Sequence, residues 1–271
     1  MQIVDIKQLC FQYFDNEILK NINISIDEGD IVLLVGANGA GKSTLLRVIA
    51  GMHLSSNYEK FNVLGSNCPQ NQFRGLSYLG KKWQRSISFT GVSPYMADIK
   101  VRDMMKTWQT NNTERRDELV DVLNINLDWK MHQVSDGQRK RVRIMLGLLN
   151  PFKLLLIDEF LNELDIVIRD RFFRYLKKEC SLRNASVIYA THIFDNLDEL
   201  VNKVIYISNG KCSKKQNLLD FKNEDTLFNS VKRLVSLDYH NNEEDIVSIN
   251  PIMFGPQFGY GSGRSNMLFN K

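Results

Sequence analysis

Apolar and polar positions alternate in short runs over residues 2–35, as in Asn21-Ile22-Asn23-Ile24-Ser25-Ile26. A period of two belongs to strands with one buried face, so this region is expected to form strands. Asp27-Glu28-Gly29-Asp30 marks a turn. The alternation then stops. Ile31-Val32-Leu33-Leu34-Val35 is apolar throughout, as in a strand covered on both faces. Residues 54–80 set short apolar pieces such as Phe61-Asn62-Val63-Leu64-Gly65 among Asn, Ser, Gly and Pro, and predict further strands and loops. From about residue 99 to 150 the pattern becomes helical, with amphipathic segments at 118–123 and 142–149. Leu154 to Ile157 is a second buried strand. Leu164, Ile168, Phe172 and Leu176 follow at helical spacing. Ser186 to Ala190 and Val204 to Ser208 predict two more strands. Strand–helix alternation of this kind indicates a parallel sheet. Residues 213–271 are less regular, and no internal repeat is evident.

Composition narrows the class only modestly. The 271 residues are 43% hydrophobic, enough for a sizeable core. A net charge of +4 permits acidic partners or nucleic acid without demanding them. Cys10, Cys68, Cys180 and Cys212 show no C-x-x-C spacing, which points to reduced thiols in a cytoplasmic or nuclear protein. No apolar run is long enough to span a membrane, and the first residues lack a signal-peptide core.

The chemistry begins at Gly36-Ala37-Asn38-Gly39-Ala40-Gly41-Lys42-Ser43-Thr44. This stretch matches G-x-x-x-x-G-K-[ST] between a buried strand and a helix. Glycines let the backbone wrap phosphate oxygens, and the helix N-terminus favours an anion. Lys42 can reach β- and γ-phosphates, and Ser43 can hold Mg²⁺. The second buried strand ends in Asp158-Glu159, at the strand end where open α/β sheets bind ligands. Asp158 suits Mg²⁺ and Glu159 suits a general base for an attacking water. Alone, these two acids would equally serve as a polar strand terminus.

Between the two motifs lies Val134-Ser135-Asp136-Gly137-Gln138, followed by Arg139-Lys140-Arg141. It resembles the L-S-G-G-Q signature of ATP-binding-cassette (ABC) ATPases, and Ser135 precedes Asp158 by 23 positions, the family's separation. Tyr189-Ala190-Thr191-His192 resembles the switch-histidine loop of that family, and Glu163-Leu164-Asp165 its D-loop. Tyr13 stands 29 positions before Lys42, where the family stacks an aromatic on adenine. A strand tyrosine packing on its neighbours is the plainer reading of Tyr13, as a Ser helix cap is of Ser135.

The resemblance implies an α/β fold, an ABC-type P-loop NTPase with a RecA-like core, an antiparallel β-subdomain and a small helical subdomain. It implies an ATP-binding domain over residues 1–212, with the helical subdomain near 95–150. Beyond the resemblance lie a C-terminal extension over 213–254 and residues 255–271, whose richness in Gly, Ser and Asn reads as a flexible tail. It also implies ATP hydrolysis with Mg²⁺, with Glu159, His192 and Lys42 as catalytic residues. Tyr13, residues 36–44, Ser135, Gly137, Gln138 and Asp165 would bind the nucleotide, and Ser43 and Asp158 the metal. Signature and phosphate loop lie on opposite sides of such a cassette, so a second cassette is required, a copy of this chain or another ABC protein.

Three departures stand out. Asp136 replaces the first signature glycine, with the basic run 139–141 as a candidate counter-charge. Phe160 replaces the usual proline after the acids. The Q-loop glutamine is missing near Gly91–Met96 and near Gly80–Lys82, and Gln84 fits neither place. Trp129 to Gln138, Met145 to Leu149, Tyr189 to Asp195 and Tyr78-Leu79-Gly80 resemble a narrower group of soluble eukaryotic ABC ATPases. Its yeast member associates with the Ccr–Not complex, and its plant members lack membrane subunits. The resemblance implies a regulatory ATPase, with a transporter's ATP-binding subunit as the alternative. Lys81 to Arg85 and Arg139 to Arg143 are the sole support for a nucleic-acid role. The tail, with Phe258, Tyr260 and Arg264, leaves open a segment that folds on a partner.

Overall fold

In the computed structural model, residues 1–67, 74–80, 99–108, 113–161, 164–192, 197, 199–212 and 229–238 are described, with side chains omitted for 105–108. The strands are β1 (Gln2–Tyr13), β2 (Asn16–Asp27), β3 (Ile31–Val35), β4 (Lys60–Val63), β5 (Leu76–Gly80), β6 (Leu154–Asp158), β7 (Ser186–Ala190), β8 (Lys203–Ser208) and β9 (Lys211–Cys212). The helices are α1 (Lys42–Ile49), α2 (Val101–Trp108), α3 (Thr113–Val122), α4 (Asp136–Leu148) and α5 (Ile166–Arg183).

The continuous apolar runs do lie inside. β3, β6 and β7 are buried at every residue, because both faces of their sheet are covered. That sheet has the order β5-β6-β7-β3-β8-β9, parallel from β5 to β8 and closed by antiparallel β9. Alternate residues feed two cores. Leu33, Val35, Leu155, Ile157, Val187 and Tyr189 pack with the helices α2 to α5. Val32, Leu34, Leu154, Leu156, Ile188 and Ala190 pack with α1 and a second, antiparallel sheet, β2-β1-β4. The strands that alternate in sequence thus form the sheet with one face on a core. The α/β architecture expected from sequence is present, including the antiparallel sheet and the helices between residues 101 and 148.

Two sequence boundaries move. Leu164 is buried but precedes α5, because Asp165 caps that helix by accepting from the Ile168 N–H at 2.9 Å. Residues 229–238, within a stretch read as irregular, are helical. Val231 is buried there, and Leu234 and Val235 pack on the same core. The tail at 255–271 lies outside the described residues.

Helix α4 meets β5 closely at Gly147. A Cβ there would stand 2.9 Å from Leu79 Cδ2, while the Ser77 hydroxyl donates to the Gly147 carbonyl at 2.8 Å. A buried ion pair joins α3 to α5. Arg115 donates to Glu179 at 2.7 Å and to the Leu148 carbonyl at 2.7 Å, closing the C-terminal end of α4.

Candidate active site

Because β3, β6 and β7 run parallel, the segments that follow them emerge on one edge of the sheet. β3 opens into residues 36–41, β6 ends on Asp158 and Glu159, and β7 leads to Thr191 and His192. β7 lies between the other two strands, so His192 follows the strand separating the phosphate-loop motif from the acids.

The loop is shaped by its glycines. A Cβ on Gly36 would lie 2.1 Å from the Ile207 carbonyl oxygen, a backbone atom that cannot step aside. Gly41 has φ 107° and caps α1 without any side-chain bond. The amides of the first turn of α1 therefore meet no capping side chain. Lys42 is buried, and its ammonium folds back to donate to the carbonyls of Gly36 at 2.8 Å and Ala37 at 2.9 Å.

Ser43 and Asp158 meet across 115 positions of sequence. The hydroxyl donates to Asp158 Oδ1 at 2.7 Å. Two oxygen ligands of this kind suit a hard cation such as Mg²⁺, which takes few protein oxygens and completes its shell with phosphates and water. Among the described residues, no group of three or more His, Cys, Asp or Glu is placed to cage an ion alone. The residues fit an ion that arrives with a phosphate.

Glu159 sits in the left-handed region at φ 51°, costly for a side chain with a Cβ. Its amide donates to the Ala190 carbonyl at 2.9 Å, holding the turn against β7. Its carboxylate Oε1 lies 2.8 Å from His192 Nε2. The structure therefore brings Lys42, Ser43, Asp158, Glu159 and His192 to one sheet edge.

Tyr13 is partly buried. Its ring meets Phe11 edge-on at 4.9 Å and His53 at 5.3 Å, and its hydroxyl bonds His53 Nε2 at 2.7 Å. Burial, then the neighbouring Arg47 guanidinium, lowers the His53 pKa. Burial opposes charge on Arg47 too, but Tyr78 and Tyr13 together with the Asp158 carboxylate raise its pKa. Tyr78 donates to Asp158 Oδ2 at 2.9 Å. Arg47, His53 and Tyr78 were not assigned to the site from sequence.

Ser135 caps α4 in a capping box. Its hydroxyl accepts from the Gln138 amide at 3.2 Å, and its own amide donates to Gln138 Oε1 at 2.9 Å. Ser135, Gly137 and Gln138 make no hydrogen bond or ion pair with residues 36–44, Asp158, Glu159 or His192. Asp165 makes only its capping bond among the side-chain bonds of the described residues.

The departures from the family pattern have partners. Asp136 pairs with Arg139 at 2.7 Å. Phe160 is fully buried, with Arg143 4.5 Å and Lys140 5.3 Å from its ring centre. Arg141 lies 5.5 Å from the Trp129 ring and donates to the Asn124 carbonyl at 3.3 Å. The basic run 139–143 is thus engaged inside the fold. Lys81–Arg85, Gly91–Met96 and Glu163 lie outside the described residues. Among those described, no helix is long and apolar enough to cross a membrane.

Comparison with known proteins agrees with this geometry. The sequence model of the ABC transporter family matches residues 19–162. ABC transporter I family member 20 of Arabidopsis thaliana is 41% identical over 199 residues, 72% of this chain, and the match spans 60% of that relative's length. CCR4-associated factor 16 of Saccharomyces cerevisiae is 32% identical over 272 residues, covering 92% of this chain and 91% of the yeast protein. The fold superposes on an ATP-binding subunit of an ABC transporter with a TM-score of 0.70 at 20% identity, over 86% of this chain and 99% of the other. It also superposes on a dimeric post-hydrolysis ATP-binding cassette bound to ADP and Pi. There the TM-score is 0.63 at 18% identity, over 80% of this chain and 99% of the other. Identities this low speak for the fold alone.

Proposed function

This chain belongs to the ATP-binding-cassette family of ATP hydrolases, and from that premise we propose that it acts as a regulatory switch in which two cassettes close head to tail on ATP. The observation that carries the reading is the division of the site. Lys42, Ser43, Asp158, Glu159 and His192 share one sheet edge, while the Ser135 end of α4 makes no bond to any of them. A partner's Ser135, Gly137 and Gln138 would supply the second wall over the γ-phosphate, with Asp165 of each chain at the seam. That a solved cassette of the same fold is dimeric is in keeping with a pairing of two cassettes.

In this reading a triphosphate takes the place of the Gly36 and Ala37 carbonyls as partner of Lys42. Residues 36–44 present backbone amides to it, and Tyr13 offers its face to the adenine ring. Ser43 and Asp158 would hold Mg²⁺, which when bound would neutralise phosphate charge. Glu159 accepts a proton from the attacking water. His192, already on Glu159, contacts the γ-phosphate and fixes that water between them. The water oxygen bonds to the γ-phosphorus, the bond to ADP breaks, and the interface loses the phosphate that joined it.

The process controlled is read from the yeast relative, whose name records association with CCR4. We place this chain with proteins of a Ccr–Not-type complex in the cytoplasm or nucleus. The second reading, a transporter's ATP-binding subunit, has the family model in its favour. The missing Q-loop glutamine weighs against it, since that loop couples cassettes to membrane subunits. Isolation of the native protein separates the two: Ccr–Not components in the eluate support regulation, and integral membrane subunits overturn it. Sedimentation of Glu159→Gln with ATP and Mg²⁺ tests the pairing. A particle that stays monomeric at high protein concentration would sink the homodimer.

A further inference from the structure

β5 ends beside β6, with Gly80 in register with Asp158. Tyr78, two residues earlier, lies on the same face of the strand. Its ring folds forward along β5 over Gly80. A Cβ at Gly80 would stand 2.5 Å from a Tyr78 ring carbon and 2.6 Å from its hydroxyl oxygen. The missing side chain at 80 is what lets the phenol reach across to the neighbouring strand. There it donates to Asp158 Oδ2 at 2.9 Å, while Ser43 donates to Oδ1 at 2.7 Å. One donor on each oxygen fixes the plane of the carboxylate. Arg47 lies on the same helix as Ser43, one turn on, and interacts with both Tyr78 and Tyr13.

We propose that Tyr78 is a positioning residue of the metal site, orienting Asp158 through its second oxygen so that the first, with Ser43, faces the Mg²⁺ of bound ATP. It sits at the middle of β5, with Gly80 at the end of that strand beside Asp158. The inference rests on Asp158 serving the metal, as proposed above. Outer-shell hydrogen bonds of this kind orient metal ligands, and their loss costs about 10- to 100-fold in metal affinity.

The test uses the full chain with ATP and Mn²⁺ as a paramagnetic probe, followed by electron paramagnetic resonance, and fluorescent ATP titrated in EDTA. Tyr78→Phe keeps the ring over Gly80 and removes only the hydroxyl. It is expected to weaken Mn²⁺ binding to the ATP complex about tenfold and to alter the Mn²⁺ line shape, while metal-free nucleotide affinity stays the same. Gly80→Ala, which pushes the ring aside, is expected to reproduce the Mn²⁺ defect. Wild-type Mn²⁺ affinity and line shape in Tyr78→Phe overturn the inference. Wild-type behaviour in Asp158→Asn overturns the metal reading itself, and the inference with it.

Discussion

Glu159 Oε1 and His192 Nε2 stand 2.8 Å apart, although 33 residues of chain separate them. The contact exists because β6 and β7 are adjacent and in register, Asp158 opposite Ala190. Glu159→Gln keeps the side-chain shape and removes the proton acceptor. Phosphate release is expected to fall about 10²- to 10⁴-fold while fluorescent ATP still binds. His192→Ala is expected to lower turnover as well, and a variant with full turnover would remove His192 from the reaction.

Lys42 is buried with its charge satisfied by two backbone carbonyls. Lys42→Met is expected to weaken ATP binding roughly 10- to 100-fold, the value of one charge-assisted hydrogen bond. Equilibrium titration with fluorescent ATP reads this directly. An unchanged dissociation constant would show that the loop binds phosphate without its lysine.

Arg115 and Glu179 are both buried and joined at 2.7 Å. Removing Arg115 leaves the buried Glu179 with only the more distant Arg183, at 3.4 Å, as counter-charge, so Arg115→Met is expected to destabilise by up to about 3–5 kcal/mol. Arg115→Met combined with Glu179→Met should recover part of that loss, since no orphaned charge remains. Urea unfolding of wild type and the two variants gives the comparison.

Asp136 lies at the first turn of α4, where an acid favours the helix dipole, and pairs with Arg139. It also sets a carboxylate on the surface proposed to meet a partner's triphosphate. Asp136→Gly is expected to cost the helix about 1 kcal/mol and to tighten ATP-dependent pairing of Glu159→Gln. Sedimentation at several protein concentrations measures the second effect. Weaker pairing would assign Asp136 a supporting part in the interface.

His53 carries a lowered pKa, because burial and the Arg47 charge disfavour its protonated form. A folded value below the unfolded one means the unfolded chain binds more protons between them. The His53 contribution is therefore complete above the ordinary value of about 6.5 and is lost as pH falls to and through the lowered value. Urea midpoints for wild type should decline across that window more steeply than for His53→Gln. Equal slopes would mean that His53 does not titrate differently on folding.

The strands of the core were legible because buried parallel strands leave uninterrupted apolar runs, and Ile31–Val35 and Leu154–Ile157 have no other use for them. The phosphate loop and the acids were legible because each is contiguous in sequence. Tyr78 was not, since what matters is its register against Leu156 and the bare Gly80 beside it, and neither leaves a mark on the chain. Arg47 hid within an ordinary amphipathic helix, four residues after Ser43. The 229–238 helix was missed because a short segment docking through Val231, Leu234 and Val235 shows too little periodicity on its own. Asp165 carries a D-loop resemblance in the sequence, and the helix-capping bond that the structure records at this residue was not anticipated.

Helix α4 is fastened along most of its length. Its far end is closed by Arg115 on Leu148, and Gly147 seats it on β5. Arg143 ties it to Phe160 and, at 3.0 Å, to the Gly80 carbonyl. At the other end, Ser135 closes the capping box with Gln138. A stiff rod carries a push on its tip to the points where it is held. Gly80 adjoins Asp158, and Phe160 directly follows Glu159. A shift of the Ser135 end would therefore reach, through a single element, the backbone beside Asp158 and Glu159.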